Sequence, residues 1–483
     1  MNDVDVAVIG GGISGLATAW YLARAGLSVE VWERNQRPGG LINSQAGDGY
    51  ITERAASMVL NYLPEVSEFL AQSGLDHQIT VCPPATRRYL YSDGRLHEVA
   101  MTIAGLFHSP LWSWRGKARL CLEPFLPRGG HAEETVSEFI SRRLGSELLE
   151  KAIEPFVGAT LSSNPDMANA RATLPRLTAL EAKFGSIGFG VLAKKLSRKN
   201  TTVKSSTFSF QGGMSALINA LAQRPGIRLR TSRRVTEIEK CRKGWLITAN
   251  TPKGQQVINA RAVVLSTPSK AAASLVAPID REMALTLGGI AYAPLAVVHL
   301  GFDRASIGHA LDGNGFLIPR RERMPINGCL MMSSLFPDRA PPGKALLTAY
   351  VGGARNPGAI TWDGQRMVSE TVRALAQPLS LRGEPEMARI DRHPVGLPLY
   401  YGAYPARLQT IEKRLRKHPG LYLEANYRGG VSVRDRIARA GLAAGKIATF
   451  LQQPAPATAR VPLSQRPTGA EKVVESPLLA PGG

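Results

Sequence analysis

Near the start of the chain, Val4-Asp5-Val6-Ala7-Val8-Ile9 is apolar but for one acid, and a burst of glycines follows at once. A short apolar run closed by a turn signal predicts a buried parallel strand. Residues 16–24 then carry helical periodicity in good helix formers, with Gly26 as the stop. Residues 27–32 alternate like a second strand, and Glu33 ends it.

The same patterns recur further on. Phe210-Gln211-Gly212-Gly213-Met214 precedes a helical stretch at 215–223. Short alternating runs at 227–231, 234–241, 244–250 and 256–265 predict strands, which alone would read as an ordinary β-meander. Residues 421–451 read as strand, glycine turn and a helix over 433–451. Between these parts, 86–204 is rich in helix signals, including 135–144 and 147–156, while runs such as 295–302 and 344–351 predict a sheet within 290–395. The expected parts are 1–85, 205–289 and 396–452 for one domain, with 86–204 and 290–395 as inserts holding the substrate. From 453 the chain is Pro, Ala, Ser and Gly without apolar period, which predicts a disordered tail over 453–483.

At 483 residues the chain is long enough for two or three domains. Its four cysteines are scattered and neither they nor the eight histidines show metal-ligand spacing, so a reduced, cytoplasmic setting and no metal are expected. Acids flank the apolar start, unlike a cleavable signal, and no apolar run reaches the roughly 18 residues of a spanning helix. The net charge of +21 does change the picture, because so basic a surface attracts acidic partners. Nucleic acid would fit the charge, but no recognition motif accompanies it. An anionic membrane face or an acidic small molecule remains. Residues 101–125 mix Leu, Phe and two tryptophans with Arg115, Lys117 and Arg119. Residues 188–192 stand beside Lys194, Lys195, Arg198 and Lys199. Both suit an interfacial, peripheral segment and equally suit core helices with cationic outer faces.

The candidate chemistry lies in the glycine burst. Gly10, Gly12 and Gly15 form G-x-G-x-x-G around Ile13 and Ser14. Gly10 permits the tight turn, Gly12 lets the backbone approach a pyrophosphate, and Gly15 lets helix and strand pack closely. The helix start offers free N–H groups to phosphates. Glu33, 23 residues after Gly10 (33 − 10), can accept from an adenosine ribose. This predicts an α/β, Rossmann-like dinucleotide domain and does not separate NAD from FAD.

The following residues resemble a known family. Glu33, Arg37, Gly39 and Gly40, with Arg34 and Leu41 among them, give E-x-x-x-R-x-G-G. This extension resembles that of FAD-dependent amine oxidases, phytoene desaturases and protoporphyrinogen oxidases. The resemblance implies a GR2-type flavoprotein with an α+β substrate domain and a helical insert able to bind membranes, and it implies FAD. There Arg37, Gly39 and Gly40 would lie along the diphosphate. Val235 would meet adenine through its backbone. The turn of Gly429, Gly430, Val431 and Ser432 would close the flavin site at its pyrimidine end.

Within the family the chain resembles protoporphyrinogen oxidases. Asn426-Tyr427-Arg428-Gly429-Gly430-Val431-Ser432-Val433-x-Asp435-x-Ile437 is close to their last motif, and Leu397-Pro398-Leu399-Tyr400 to their I-P-Q-Y. Arg88-Tyr89-Leu90-Tyr91 and Glu134-Thr135-Val136 also resemble stretches of theirs. The resemblance implies oxidation of a porphyrinogen to a porphyrin, with dioxygen or a quinone as acceptor. Arg88 would contact a propionate, and Tyr400 and Tyr427 would flank the flavin face. It leaves room for a homodimer. Three alternatives stay open: an amine oxidase, a polyene desaturase, and a flavin- or tetrapyrrole-binding protein without catalysis. The sequence departs from the family at Glu53-Arg54-Ala55-Ala56, where the glycine and proline after the glutamate are gone. Alanine reaches positive φ less cheaply than glycine, so a different local path is expected there.

Overall fold

β1 (Asn2–Ile9) is an inner strand of a seven-stranded sheet in the computed structural model, which describes residues 2–83, 87–99, 103–196 and 205–453. Val4, Val6, Ala7, Val8 and Ile9 are all buried, as a strand covered on both faces requires. α1 (Ile13–Arg24) follows and stops at Gly26, whose φ is 81°. The Gly26 N–H donates to Ala23 O at 3.0 Å and the Leu27 N–H to Leu22 O at 3.2 Å, a Schellman end. β2 (Val29–Trp32) then pairs parallel to β1.

Stretches far apart in sequence complete this sheet. Ile227–Arg230 pairs parallel beyond β2, and Gly254–Leu265 pairs parallel on the other side of β1. Gly244–Thr251 and Arg234–Cys241 extend it as an antiparallel meander, and Leu421–Leu423 adds in parallel to Gly254–Leu265. The long helix Val433–Gln452 lays Val433, Ile437, Ala440, Ala444, Ile447 and Leu451 into one core with Leu16, Ala17 and Trp20 of α1. That three-and-four spacing makes a single apolar stripe.

A second seven-stranded sheet begins Met387–Pro398, Tyr292–Asp303, Lys344–Gly352, Ile326–Met331, Gly313–Leu317. It ends in a hairpin, Arg87–Ser92 with Arg95–Glu98, at the start of the region expected to be helical. The hairpin joins by parallel pairing to Gly313–Leu317, a non-local contact that no local pattern announces. The rest of the insert is helical among the described residues. Thr135 and Glu138 form a capping box ahead of Val136–Leu144. The helical run expected over 147–156 contains a π-helical turn, Leu149–Ile153, just before Pro155, which has no N–H to donate into a regular turn. The tail expected from 453 lies, beyond Gln453, outside the described residues, as do Arg198 and Lys199.

α1 sits against β1 with no room for a side chain at Gly15. A Cβ there would be 2.0 Å from Gly10 O and 3.1 Å from Val8 Cγ1. Gly15→Ala gains about 1 kcal/mol of helix propensity. The overpacking should exceed it, for a net loss of about 1–3 kcal/mol and a lowered Tm in thermal unfolding of the apoprotein.

Candidate active site

Gly10 takes φ 110°, open only to glycine, and turns β1 into α1. The Gly39 N–H donates to Gly11 O at 2.7 Å, which docks the Arg37–Gly40 segment beside this turn. Gly12 and Gly40 then face each other with no side chain between them. A Cβ at Gly12 would meet nothing nearer than Gly40 Cα, at 4.0 Å. Gly12 is also the N-cap of α1 and offers no side-chain cap, so the first N–H groups of the helix, from Ile13, buried Ser14 and Gly15, lie open to a ligand at this end.

Glu33 ends β2 as expected and is buried. Its carboxylate accepts from Gly11 N at 2.8 Å and from Asn35 N at 2.9 Å and Nδ2 at 2.6 Å. The stretch leading to Val235 lies alongside: Arg233 N donates to Glu33 O at 2.8 Å and Ser232 N to Asn35 O at 2.9 Å. Val235 itself is partly buried. Arg34 is exposed, as is Leu41. Arg37 lies within the docked loop. Its guanidinium donates to Pro38 O, Gly40 O and Ile42 O at 3.0, 3.1 and 3.3 Å, so it stiffens its own loop.

At the other end, Gly429 and Gly430 take φ 76° and 106° and lead through Val431 to Ser432, the N-cap of Val433–Gln452. Four side chains fasten the backbone here. Arg436, almost fully buried, donates to Glu424 Oε1, Ala425 O and Arg428 O at 2.9, 2.6 and 2.6 Å. Arg428 donates to Leu423 O at 2.7 Å. Tyr400 donates to Asn426 O at 3.0 Å and Tyr404 to Tyr427 O at 2.7 Å, with burial pushing both phenols up. Val431 and Tyr400 line a small, partly open cavity, with room for little more than one water, together with Leu161, Ser163, Thr173 and Pro398. Tyr427 does not line it. Its ring is fully buried in the core with Trp245, Ile247 and Leu421. A larger groove, lined by Gly364, Val368, Glu384 and Ile390, lies wide open elsewhere and contains no motif residue.

Arg88 lies on Arg87–Ser92, exposed, on the face that also carries Leu90. Leu90 packs with Leu111 and Trp112 of the helical insert. Arg87 and Tyr89 point the other way, to Asp312, at 2.8 and 2.6 Å. Arg88 therefore does not line the Tyr400 cavity, but lies on the strand face turned to the insert.

Sequence reasoning missed Arg436, Tyr404 and Glu53. Arg436 sits on the buried stripe of its helix, and a charge on an apolar stripe is the signal that finds it. Glu53 is buried, accepting from Met214 N at 2.8 Å and Ser44 Oγ at 2.9 Å, and burial pushes its carboxyl up to about 7. Ala55 and Ala56 both avoid positive φ, so the turn after Glu53 follows a path open to alanine.

The model of the flavin containing amine oxidoreductases matches residues 13–445. The chain belongs to this family. It is an FAD-dependent oxidoreductase, and the side-chain-free gap between Gly12 and Gly40 fits a dinucleotide's diphosphate. Protoporphyrinogen oxidase 2 of Arabidopsis thaliana is 30% identical, over 92% of this chain and 94% of that protein. Coproporphyrinogen III oxidase of Bacillus subtilis (strain 168) is 26% identical, over 92% and 98%. A solved structure from Exiguobacterium sp. 255-15 shares the fold with a TM-score of 0.76 at 23% identity, covering 93% of this chain and 99% of that one. Reduced UDP-galactopyranose mutase shares it at a TM-score of 0.70 and 13% identity, over 93% and 97%.

The open space at Gly12 gives a clean test. Gly12→Val should fold with a Tm near wild type, because its side chain meets ligand space rather than protein. It should purify colourless, with FAD affinity in fluorescence titration lowered at least about a hundredfold by steric exclusion.

Proposed function

We propose that this enzyme oxidises a porphyrinogen to the corresponding porphyrin, passing electrons from the flavin to dioxygen or a quinone. The observation that carries the reading is full-length similarity to two groups of porphyrinogen oxidases. The site agrees with it. The glycine turn of Gly10, Gly12 and Gly15, with Gly39, Gly40 and Glu33, holds the dinucleotide end. Val235 borders the adenine, and Gly430, Val431 and Ser432 close the ring end.

FAD, when bound, supplies the hydride acceptor. The chain supplies position and dryness. Tyr400 presents its ring to the cavity while its hydroxyl is tied to Asn426 O, so it acts as a wall and not as a proton donor. Arg436 and Tyr404 keep the Val431 turn in register with that wall. Arg88 offers a cation to a propionate.

The direct test is aerobic turnover of protoporphyrinogen IX and coproporphyrinogen III by the FAD-loaded protein, followed by porphyrin fluorescence. An FAD-dependent rise with either is expected. Arg88→Ala should keep FAD and raise KM about tenfold, the size of one charge-assisted contact. Yellow protein that oxidises neither substrate would refute the reading.

We also propose that the helical insert rests on an anionic lipid surface. Leu111 and Trp112 of the 101–125 segment are core residues, but Trp114, Leu122 and Phe125 face out, 74%, 56% and 79% exposed. Phe189, Leu192 and Leu196 face out from Ile187–Leu196, among exposed Lys194 and Lys195. Buried Glu123 joins the two segments, accepting from Ser186 Oγ, Ile187 N, Gly188 N and Arg143 Nε at 2.6, 2.9, 2.9 and 3.0 Å. No helix among the described residues is long and apolar enough to cross a membrane. Co-flotation with vesicles containing phosphatidylglycerol should fall several-fold in the double variant Trp114→Ser/Phe125→Ser and with added salt. Equal flotation of variant and wild type would remove this surface.

A further inference from the structure

The altered turn after Glu53 sets a guanidinium beside the cofactor cradle that no motif accounts for. The Arg54 backbone is fixed from two sides. Its N–H donates to Asn43 O at 2.9 Å, three residues beyond Gly40, and its carbonyl accepts from His393 Nε2 at 2.8 Å. Arg54 Nε is buried, 3.6 Å from Asp391 Oδ1. Asp391 is itself half-buried. Its Oδ2 lies 3.9 Å from Nε2 of His299, whose Nδ1 is 2.9 Å from Thr348 Oγ1. Burial holds His299 down to about 4, so it is neutral near pH 7 and leaves Arg54 as a facing cation for Asp391.

The other arginines of this corner are committed. Arg389 donates to Thr52 Oγ1 and Gln45 O at 2.7 and 3.1 Å. Arg37 donates to three carbonyls of its own loop. Arg54 and Asp391 are both near enough to Arg37 to act on its charge, after the larger effect of burial. The terminal nitrogens of Arg54 make no hydrogen bond among the described residues, and its side chain is 36% exposed. A planar fork with a carboxylate near its base, open at its tip and close enough to the Arg37–Gly40 loop to act on the charge of Arg37, suits a phosphate oxygen.

We propose that Arg54 is an anion-binding arginine of the cofactor site, its terminal nitrogens donating to a phosphate oxygen of bound FAD while Asp391 steadies the base of the fork. The assignment rests on FAD as cofactor and not on the porphyrinogen reading. Apoprotein titrated with FAD, and separately with riboflavin, tests it by fluorescence quenching. Arg54→Gln should weaken FAD binding roughly ten- to a hundredfold and leave riboflavin, which has no phosphate, unaffected. Arg54→Lys should recover part of the loss, since it keeps the charge without the fork. Asp391→Asn should give a smaller loss for FAD alone, and it carries the test if Arg54→Gln does not fold. Equal weakening of FAD and riboflavin overturns the proposal, because Arg54 would then hold the ring or the fold. Unchanged FAD affinity also overturns it. Should the KM for coproporphyrinogen III rise in that case, the anion Arg54 meets is a substrate carboxylate. Wild-type protein that binds FAD but oxidises no porphyrinogen would sink the proposed function and leave this titration readable.

Discussion

The contact between the Gly15 backbone and the Gly10 carbonyl sets the scale of the whole site. It lets α1 lie closer to β1 than any side chain permits. α1 in turn forms one core with Val433–Gln452, which Val431 and the N-cap Ser432 lead into. The two ends of the cofactor site are therefore spaced by one helix–helix packing that itself hangs on one glycine. A looser α1 would shift the glycine gap and the Val431 turn relative to each other.

Buried arginines do the joining where loops from different segments meet. Arg436 gathers 424–428, Arg143 gathers Leu126, Pro127 and Gly185 around Glu123, and Arg339 gathers Ser209 and Phe210. A buried cation is tolerated because carbonyls and carboxylates satisfy its fork, and removing such a partner from a buried pair costs about 3–5 kcal/mol. Part of the chain's large positive charge thus lies inside as fasteners, and only the remainder can draw acidic partners.

The elements of the first sheet were legible because each announces itself locally, by strand alternation, a glycine stop or a helical stripe. Val4–Ile9, 234–241 and 433–451 needed no tertiary information. The hairpin of Arg87–Ser92 with Arg95–Glu98 is local, but its place in the second sheet was hidden, because the strand it joins, Gly313–Leu317, lies far down the chain. In the site, the glycines and Glu33 could be read from spacing, whereas the carbonyls of Pro38 and Gly40 that Arg37 meets could not, because the loop path sets them. Tyr400 and Tyr427 looked equivalent in sequence. Only the fold puts one against the cavity and the other against Trp245. The Arg54–Asp391 pair joins the bend after Tyr50–Glu53 to a strand hundreds of residues on, so nothing adjacent to either could reveal it.

The strand Met387–Pro398 passes from Asp391, beside the glycine cradle, to Pro398 at the cavity wall. Seven residues of extended chain make that span roughly 23 Å. It behaves as a rail, long, hydrogen-bonded to Tyr292–Asp303 and unable to move at one end without moving at the other. The facing wall, Leu161, Ser163 and Thr173, belongs to the helical insert and shares no backbone with the rail. The wall can therefore be exchanged for a different ligand shape while the rail stays fixed, and divergence among such enzymes should accumulate on one side of the cleft only.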